Sequence, residues 1–228
     1  MKFCSDSMAY RRTDRVVQRL AARHEAIIVA ARALASEQGM GAVQIAPVAD
    51  RAGIAAGTVY RYFPSKTALV EALVAAVAET EIAALRNAAQ AAPGPLSALA
   101  AALVTFAARA VRQRRLVWAV IAEPVDADVD QARLAFRRAL IAEITARLEM
   151  AAGHLLGINP ALAAPALVGG LLEGLIGSLA PQIADDSAKS REAVQMLTLL
   201  ALRGVGIVDA RARGLVVQTP WPAADEAA

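Results

Sequence analysis

Residues 47–63 read PVADRAGIAAGTVYRYF, and this stretch decides the fold. Its pattern predicts two short helices, one from about Pro47 to Ala52 and one from about Ala56 to Tyr62. Proline suits the first turn of a helix, where its missing N–H costs nothing. Gly53 stops the first helix, and Gly53-Ile54-Ala55 supplies a tight turn. Val48, Ala49 and Ala52 give the first helix a small apolar face that allows a close crossing. Ile54 and Val59 can plug a core beneath the second helix, which leaves Thr58, Tyr60, Arg61 and Tyr62 to face outward. This is the layout of a helix-turn-helix, a motif whose second helix can enter the major groove of DNA.

The flanking sequence agrees with that layout. From Val16 to Gln38, Leu20, Ile27, Ile28, Ala31, Leu34 and Ala35 recur at helical spacing, and Gly39 and Gly41 end the run. Residues 1–14 read as a flexible basic arm. Pro64 breaks the chain again, and Ser65 is a good N-cap for a longer helix through about Gln90. Charge is uneven: the first 66 residues carry a balance of +5 and the remaining 162 a balance of −2. Arg11, Arg12, Arg15 and Arg19 are the densest basic group. A basic N-terminal part on a nearly neutral body fits either an anionic partner, nucleic acid or a membrane surface, or a solvated arm leading into a helix.

Residues 27–74 resemble the helix-turn-helix domain of the TetR family of transcriptional regulators. The resemblance rests on VADRAGIAAGTVYRYFPSKTALVEALV, and within it on the order Gly-Thr-hydrophobe-Tyr-x-Tyr-Phe-Pro-Ser-Lys. It implies an all-α chain. A three-helix module over 15–64 would be followed by a connecting helix over 65–90. A divergent helical body over 91–209 would bind a small-molecule effector and form a homodimer. The resemblance also assigns roles. Thr58 and Tyr60 fall where the family contacts DNA, and Tyr62 on a position contacting backbone or base. Lys66 falls on the phosphate-contacting lysine that opens the connecting helix. Gln44 lies just before the first short helix, where a polar residue touches phosphate. Ala55 and Ala56 depart from the pattern, standing where a Ser or Thr cap and a polar reader are common. Base reading would then rest on Thr58, Tyr60, Arg61 and DNA shape.

Ala91-Ala92-Pro93-Gly94-Pro95 reads as a linker. Beyond it the pattern predicts helices near 96–113, 115–123, 128–152, 160–183 and 188–207, with turns at 123–126 and 157–160. Residues 210–228, which include Pro220, Trp221 and Pro222, read as a loosely ordered tail. The two last predicted helices are apolar on several faces and must be enclosed. Leu171, Leu175, Leu179, Leu197 and Leu200 are the candidate dimer-interface residues. Phe106, Trp118 and Phe136 lie on three successive helices and are candidate walls of an effector pocket, with Glu123 and Glu173 as its polar groups.

Composition narrows the remaining classes. Hydrophobic residues make up 57% and alanine alone about a quarter, which excludes disorder and argues against an all-β fold. Cys4 is the only cysteine, so no internal disulfide can form, and a cytoplasmic location is expected. The most apolar span, 151–172, is interrupted by Gly153, Asn159, Pro160 and Pro165, so no membrane segment is expected. His24 and His154 have no metal-ligand spacing, and no catalytic or cofactor-binding fingerprint occurs. No enzyme activity, metal or cofactor is expected. The expected partners are a palindromic double-stranded DNA operator, a small-molecule effector and a second copy of the chain. Two other readings stay open: a non-specific or architectural DNA-binding protein, and a helical small-molecule-binding protein or enzyme with vestigial DNA binding.

Overall fold

The computed structural model describes residues 6–123, 129–155, 157–181 and 187–223. Among them all regular structure is helical. The helices are α1 (Asp6–Gln38), α2 (Ile45–Arg51), α3 (Ala56–Tyr62), α4 (Lys66–Gln90), α5 (Pro95–Arg112), α6 (Arg114–Ile121), α7 (Asp130–Met150), α8 (Pro160–Leu175), α9 (Ser187–Gly204) and α10 (Asp209–Gln218). The chain divides into two compact units, one ending at Leu73 and the other beginning at Val74.

The first unit is built on one stripe of α1. Ile27, Ile28, Ala31, Leu34 and Ala35 are buried there, together with Val48 and Ala49 of α2, Val59 of α3 and Phe63 beyond it. Gly53 turns the chain between α2 and α3 with φ +65°, a conformation that a side chain makes costly. Its N–H donates to the Asp50 carbonyl at 3.0 Å, and that of Ile54 to Ala49 at 3.0 Å, which closes the end of α2. Glu37 of α1 accepts both arms of the Arg51 guanidinium of α2, and this pairing holds its carboxyl below the usual carboxylate range. α4 starts where expected, because Ser65 Oγ accepts the Ala68 N–H at 3.0 Å.

The second unit is organised around α5, whose residues Ala98 to Ala110 are all buried. Its length and apolarity would let it cross a membrane, but 78% of it lies inside this unit, as suits the core helix of a bundle. Charged groups enter that core with partners. Arg109 of α5 donates to Glu81 of α4 from Nε at 2.7 Å and from Nη2 at 2.9 Å, and both side chains are buried. Glu143 of α7 accepts from Arg86 of α4 at 2.8 Å and from Arg147 at 2.7 Å. Arg133 of α7 is buried against the end of α6, where it donates to the carbonyls of Ala119 and Glu123. Cationic donors suit a helix C-terminus, whose last carbonyls lack partners.

Three sequence expectations are corrected. α1 begins at Asp6, so residues 6–14 are helical and not an irregular arm; residues 1–5 of that arm lie outside the described residues, as does Cys4. α8 ends at Leu175, not near 183, because Gly174 and Gly177 weaken it and the chain turns at Ile176. A Cβ on Gly177 would meet the backbone carbonyl oxygen of Glu173 at 2.6 Å, so the turn needs glycine. The tail is held: α10 occupies 209–218, and Arg112 donates to the carbonyls of Pro222 and Ala223. Trp221 is stacked by Arg112 and Arg191, at 5.7 and 5.0 Å from its ring centre. Most of the turn expected at 123–126 falls at residues 124–128, outside the described residues.

Candidate nucleic-acid interface

α3 is the centre of the candidate interface. Only Val59 of its seven residues is buried, and it anchors the helix to the first unit. Tyr60 and Arg61 are exposed, and Thr58 is half-buried. The two tyrosines separate. Tyr60 has 54% of its surface exposed, an unusual position for a large aromatic. Tyr62 is half-buried, with its ring centre 6.5 Å from that of His24, edge-on. His24 also packs on Phe63 at 4.9 Å, so α1 braces the C-terminal end of α3. Reading the sequence placed His24 in a structural role without identifying this contact; an aromatic pair facing a lone histidine two helices away leaves no local pattern.

Gln44 is exposed and precedes α2, and its amide donates to the Gly41 carbonyl at 3.1 Å. Lys66 is the first residue of α4 and is half-buried. Thus Tyr60, Arg61 and Gln44 lie on the surface of the first unit, while Thr58, Tyr62 and Lys66 lie partly within it. Ala55 precedes α3 with no side-chain cap, leaving the first N–H groups of that helix without side-chain acceptors from their own cap residue.

The family model described as "Bacterial regulatory proteins, tetR family" matches residues 27–73. The N-terminal unit is a TetR-family helix-turn-helix domain. Two curated relatives align to this TetR-family domain at 54% identity, both called HTH-type transcriptional repressor KstR. One, from Mycobacterium tuberculosis, matches over 48 residues, 21% of this chain and 22% of the relative. The other, from Rhodococcus jostii, matches over 56 residues, 25% of each. The chain therefore spans about a quarter or less of the length of these relatives. Solved structures cover more of it. RolR in complex with resorcinol superposes with TM-score 0.62 at 22% identity, over 91% of this chain and 98% of that one. FadR from Bacillus subtilis in complex with stearoyl-CoA gives 0.63 at 18% identity, over 76% and 96%. At that identity the likeness is one of fold.

The candidate effector residues all belong to the second unit. Phe106 of α5 and Phe136 of α7 are buried, and Trp118 of α6 and Glu123 beyond it are half-buried. Their three helices pack on one another. Glu173 is exposed, so burial does not oblige it to find a ligand. An apolar cavity of about 300 Å³ lies elsewhere, between α8 and α9. Leu171, Leu197 and Leu200 line it, with Gly170 and Gly204 lending open space. Sequence reading missed Ala163 and Ala166 in this lining, although small residues at helical spacing were the available signal. Leu175 is fully buried within the protomer, and Leu179 lies beyond the end of α8 with 89% of its surface exposed. Among the described residues no three His, Cys, Asp or Glu side chains cluster as metal ligands would.

Proposed function

We propose that this chain is a ligand-responsive transcriptional repressor that binds a palindromic operator as a homodimer and is released by a small molecule. The observation that carries the reading is the exposed face of α3, with Tyr60 and Arg61 outward, in a TetR-family domain. Thr58, Tyr60, Arg61 and Tyr62 contact the operator from α3, and Gln44 and Lys66 meet its phosphates from the ends of α2 and α4. The sign of regulation follows the repressors matched over this domain. Two bodies of this fold hold small organic ligands, resorcinol in RolR and stearoyl-CoA in FadR, which supports an effector site in the second unit. Phe106, Trp118 and Phe136 supply its apolar walls and Glu123 a polar group. Release is a population shift: the effector must bind more tightly to the state that fits DNA poorly. A tenfold loss of operator affinity needs about 1.4 kcal/mol of such coupling.

The test is selection of genomic fragments on the purified protein at physiological salt, beside the Tyr60→Ala, Lys66→Ala double variant. Enrichment of a palindromic site by the parent, lost in a variant that still melts cooperatively, is expected. Equal enrichment by both proteins overturns the assignment of these contacts. No enrichment by the parent overturns the sequence-specific reading.

A further inference from the structure

Helix α1 extends well before the core it serves. From Arg15 on, its first buried residue is Ile27, yet the helix starts at Asp6. Residues 15–26 are all exposed, and His24 stacks on rings of another element, so surface chemistry is chiefly what this segment offers. Arg15, Arg19 and Arg23 are exposed and recur at i, i+4 and i+8, which sets them in one stripe about 12 Å long. No acidic residue lies between Arg15 and Arg23, and none of the three joins an ion pair among the described residues. Around the helix axis the stripe is centred roughly 70° from the buried residues Ile27, Ile28, Ala30, Ala31, Leu34 and Ala35.

Its position within the unit selects the partner. His24 packs against Tyr62 and Phe63, so this part of α1 leaves the unit beside the C-terminal end of α3. We propose that the Arg15–Arg19–Arg23 stripe of α1 is a second DNA-backbone contact surface, holding duplex phosphates beyond the reach of the helix-turn-helix. This rests on the DNA-binding reading above and extends its footprint. Three guanidiniums in a row match a row of phosphates, and arginine meets phosphate with a planar fork of donors. The contact gives affinity and reach without reading bases. A membrane surface fits less well: Val16, Val17 and Leu20 are exposed there, but residues 15–26 carry no Trp, Tyr or Phe to anchor at a lipid interface.

The experiment compares the full chain with two triple variants, Arg15→Ala/Arg19→Ala/Arg23→Ala and, on the second unit, Arg137→Ala/Arg138→Ala/Arg211→Ala. Both remove the same charge from exposed positions. The probes are a fragment recovered by genomic selection and a mixed-sequence duplex of equal length. Affinity is followed against salt, and the protected length by hydroxyl-radical footprinting. Each phosphate contact adds about 0.9 to the log–log salt slope, so the α1 variant is expected to lose up to ~2.7 per bound protomer, about 5.4 for the proposed homodimer. Its footprint shortens at the outer ends, while the second-unit variant matches the parent. Lysine at the same three positions restores most of the slope. An α1 variant with the parent's slope and footprint overturns the inference and leaves the helix-turn-helix reading intact. Equal losses in both triple variants reduce the effect to net charge and also overturn it. A parent that binds neither duplex overturns the underlying reading, and one that instead binds phosphatidylglycerol vesicles through these arginines replaces the partner.

Discussion

Gly53 sits at φ +65° with nothing within 4 Å of where a Cβ would stand, so its requirement is one of backbone and not of space. Gly53→Ala is therefore expected to cost about 1–2 kcal/mol, the penalty of the left-handed conformation. Gly53→Asn should cost less, because asparagine tolerates that region. Denaturant unfolding of both variants checks the order; equal stability of alanine and glycine would mean that the turn relaxes. The two tyrosines of α3 show what one residue's place decides. They are two positions apart, which turns them by roughly 200° around a helix. The sequence could mark both as outward candidates, since both follow Val59. It could not separate them, because Tyr62 is drawn inward by His24, which stands 38 positions earlier in the chain.

Among the elements, α3 is one of several helices that begin without a side-chain cap. Ala55 accepts no N–H of the helix through a side chain, whereas Ser65 does so for α4. Ala55→Ser should stabilise the first unit by about 1 kcal/mol, read as a raised unfolding midpoint. An unchanged midpoint would mean that water already satisfies those groups. The short helices of the motif were legible because their determinants are local: Gly53 for the turn, Ser65 for the cap, Val48, Ala49 and Val59 for the crossing. The ends of α1 and α8 were not. Residues 6–14 hold no apolar stripe that predicts a helix, and α8 stops where Glu173 folds over Gly177. Contacts between distant elements left fainter marks still. Arg112 reaches carbonyls 110 and 111 positions away, and nothing near either end announces it. Arg109 did carry a signal, as the one charge in the apolar run of α5, and its partner Glu81 lies 28 positions earlier in α4. Breaking that pair by Arg109→Met strands a buried carboxylate and should cost about 3–5 kcal/mol. Glu81→Leu with Arg109→Met should recover most of it, because desolvation of both charges is then removed. A double variant no more stable than the single one would show that packing around Arg109, and not charge, sets the cost.

For the molecule as a whole, large apolar side chains are left exposed on α1, α7, α8, α9 and α10 among the described residues, and those of α8 and α9 stand on the two helices that enclose a cavity. Leu162 of α8 has 71% of its surface exposed, and Met196 and Leu200 of α9 have 63% and 65%. Between the helices runs the apolar cavity, while Gly174 lets the side chain of Leu197 approach to 3.3 Å from its Cβ position. Exposed apolar side chains beside a groove favour a partner surface, and a twofold dimer offers the same patch from each copy. In the proposed repressor, dimerisation would bear directly on operator binding. Two recognition helices on one dimer can occupy half-sites about 34–36 Å apart, and the second contact then forms at a high effective concentration. Leu200→Arg places a charge in that face without touching the buried core. It is expected to sediment at the monomer mass of 23.7 kDa where the parent sediments at twice that value. Its affinity for a full palindrome should fall by about a hundredfold or more, while its affinity for an isolated half-site holds. Loss of half-site binding as well would indicate damage to the first unit. A Leu200→Arg protein that still sediments as a dimer would place the interface elsewhere and leave the α8–α9 cavity free for the effector.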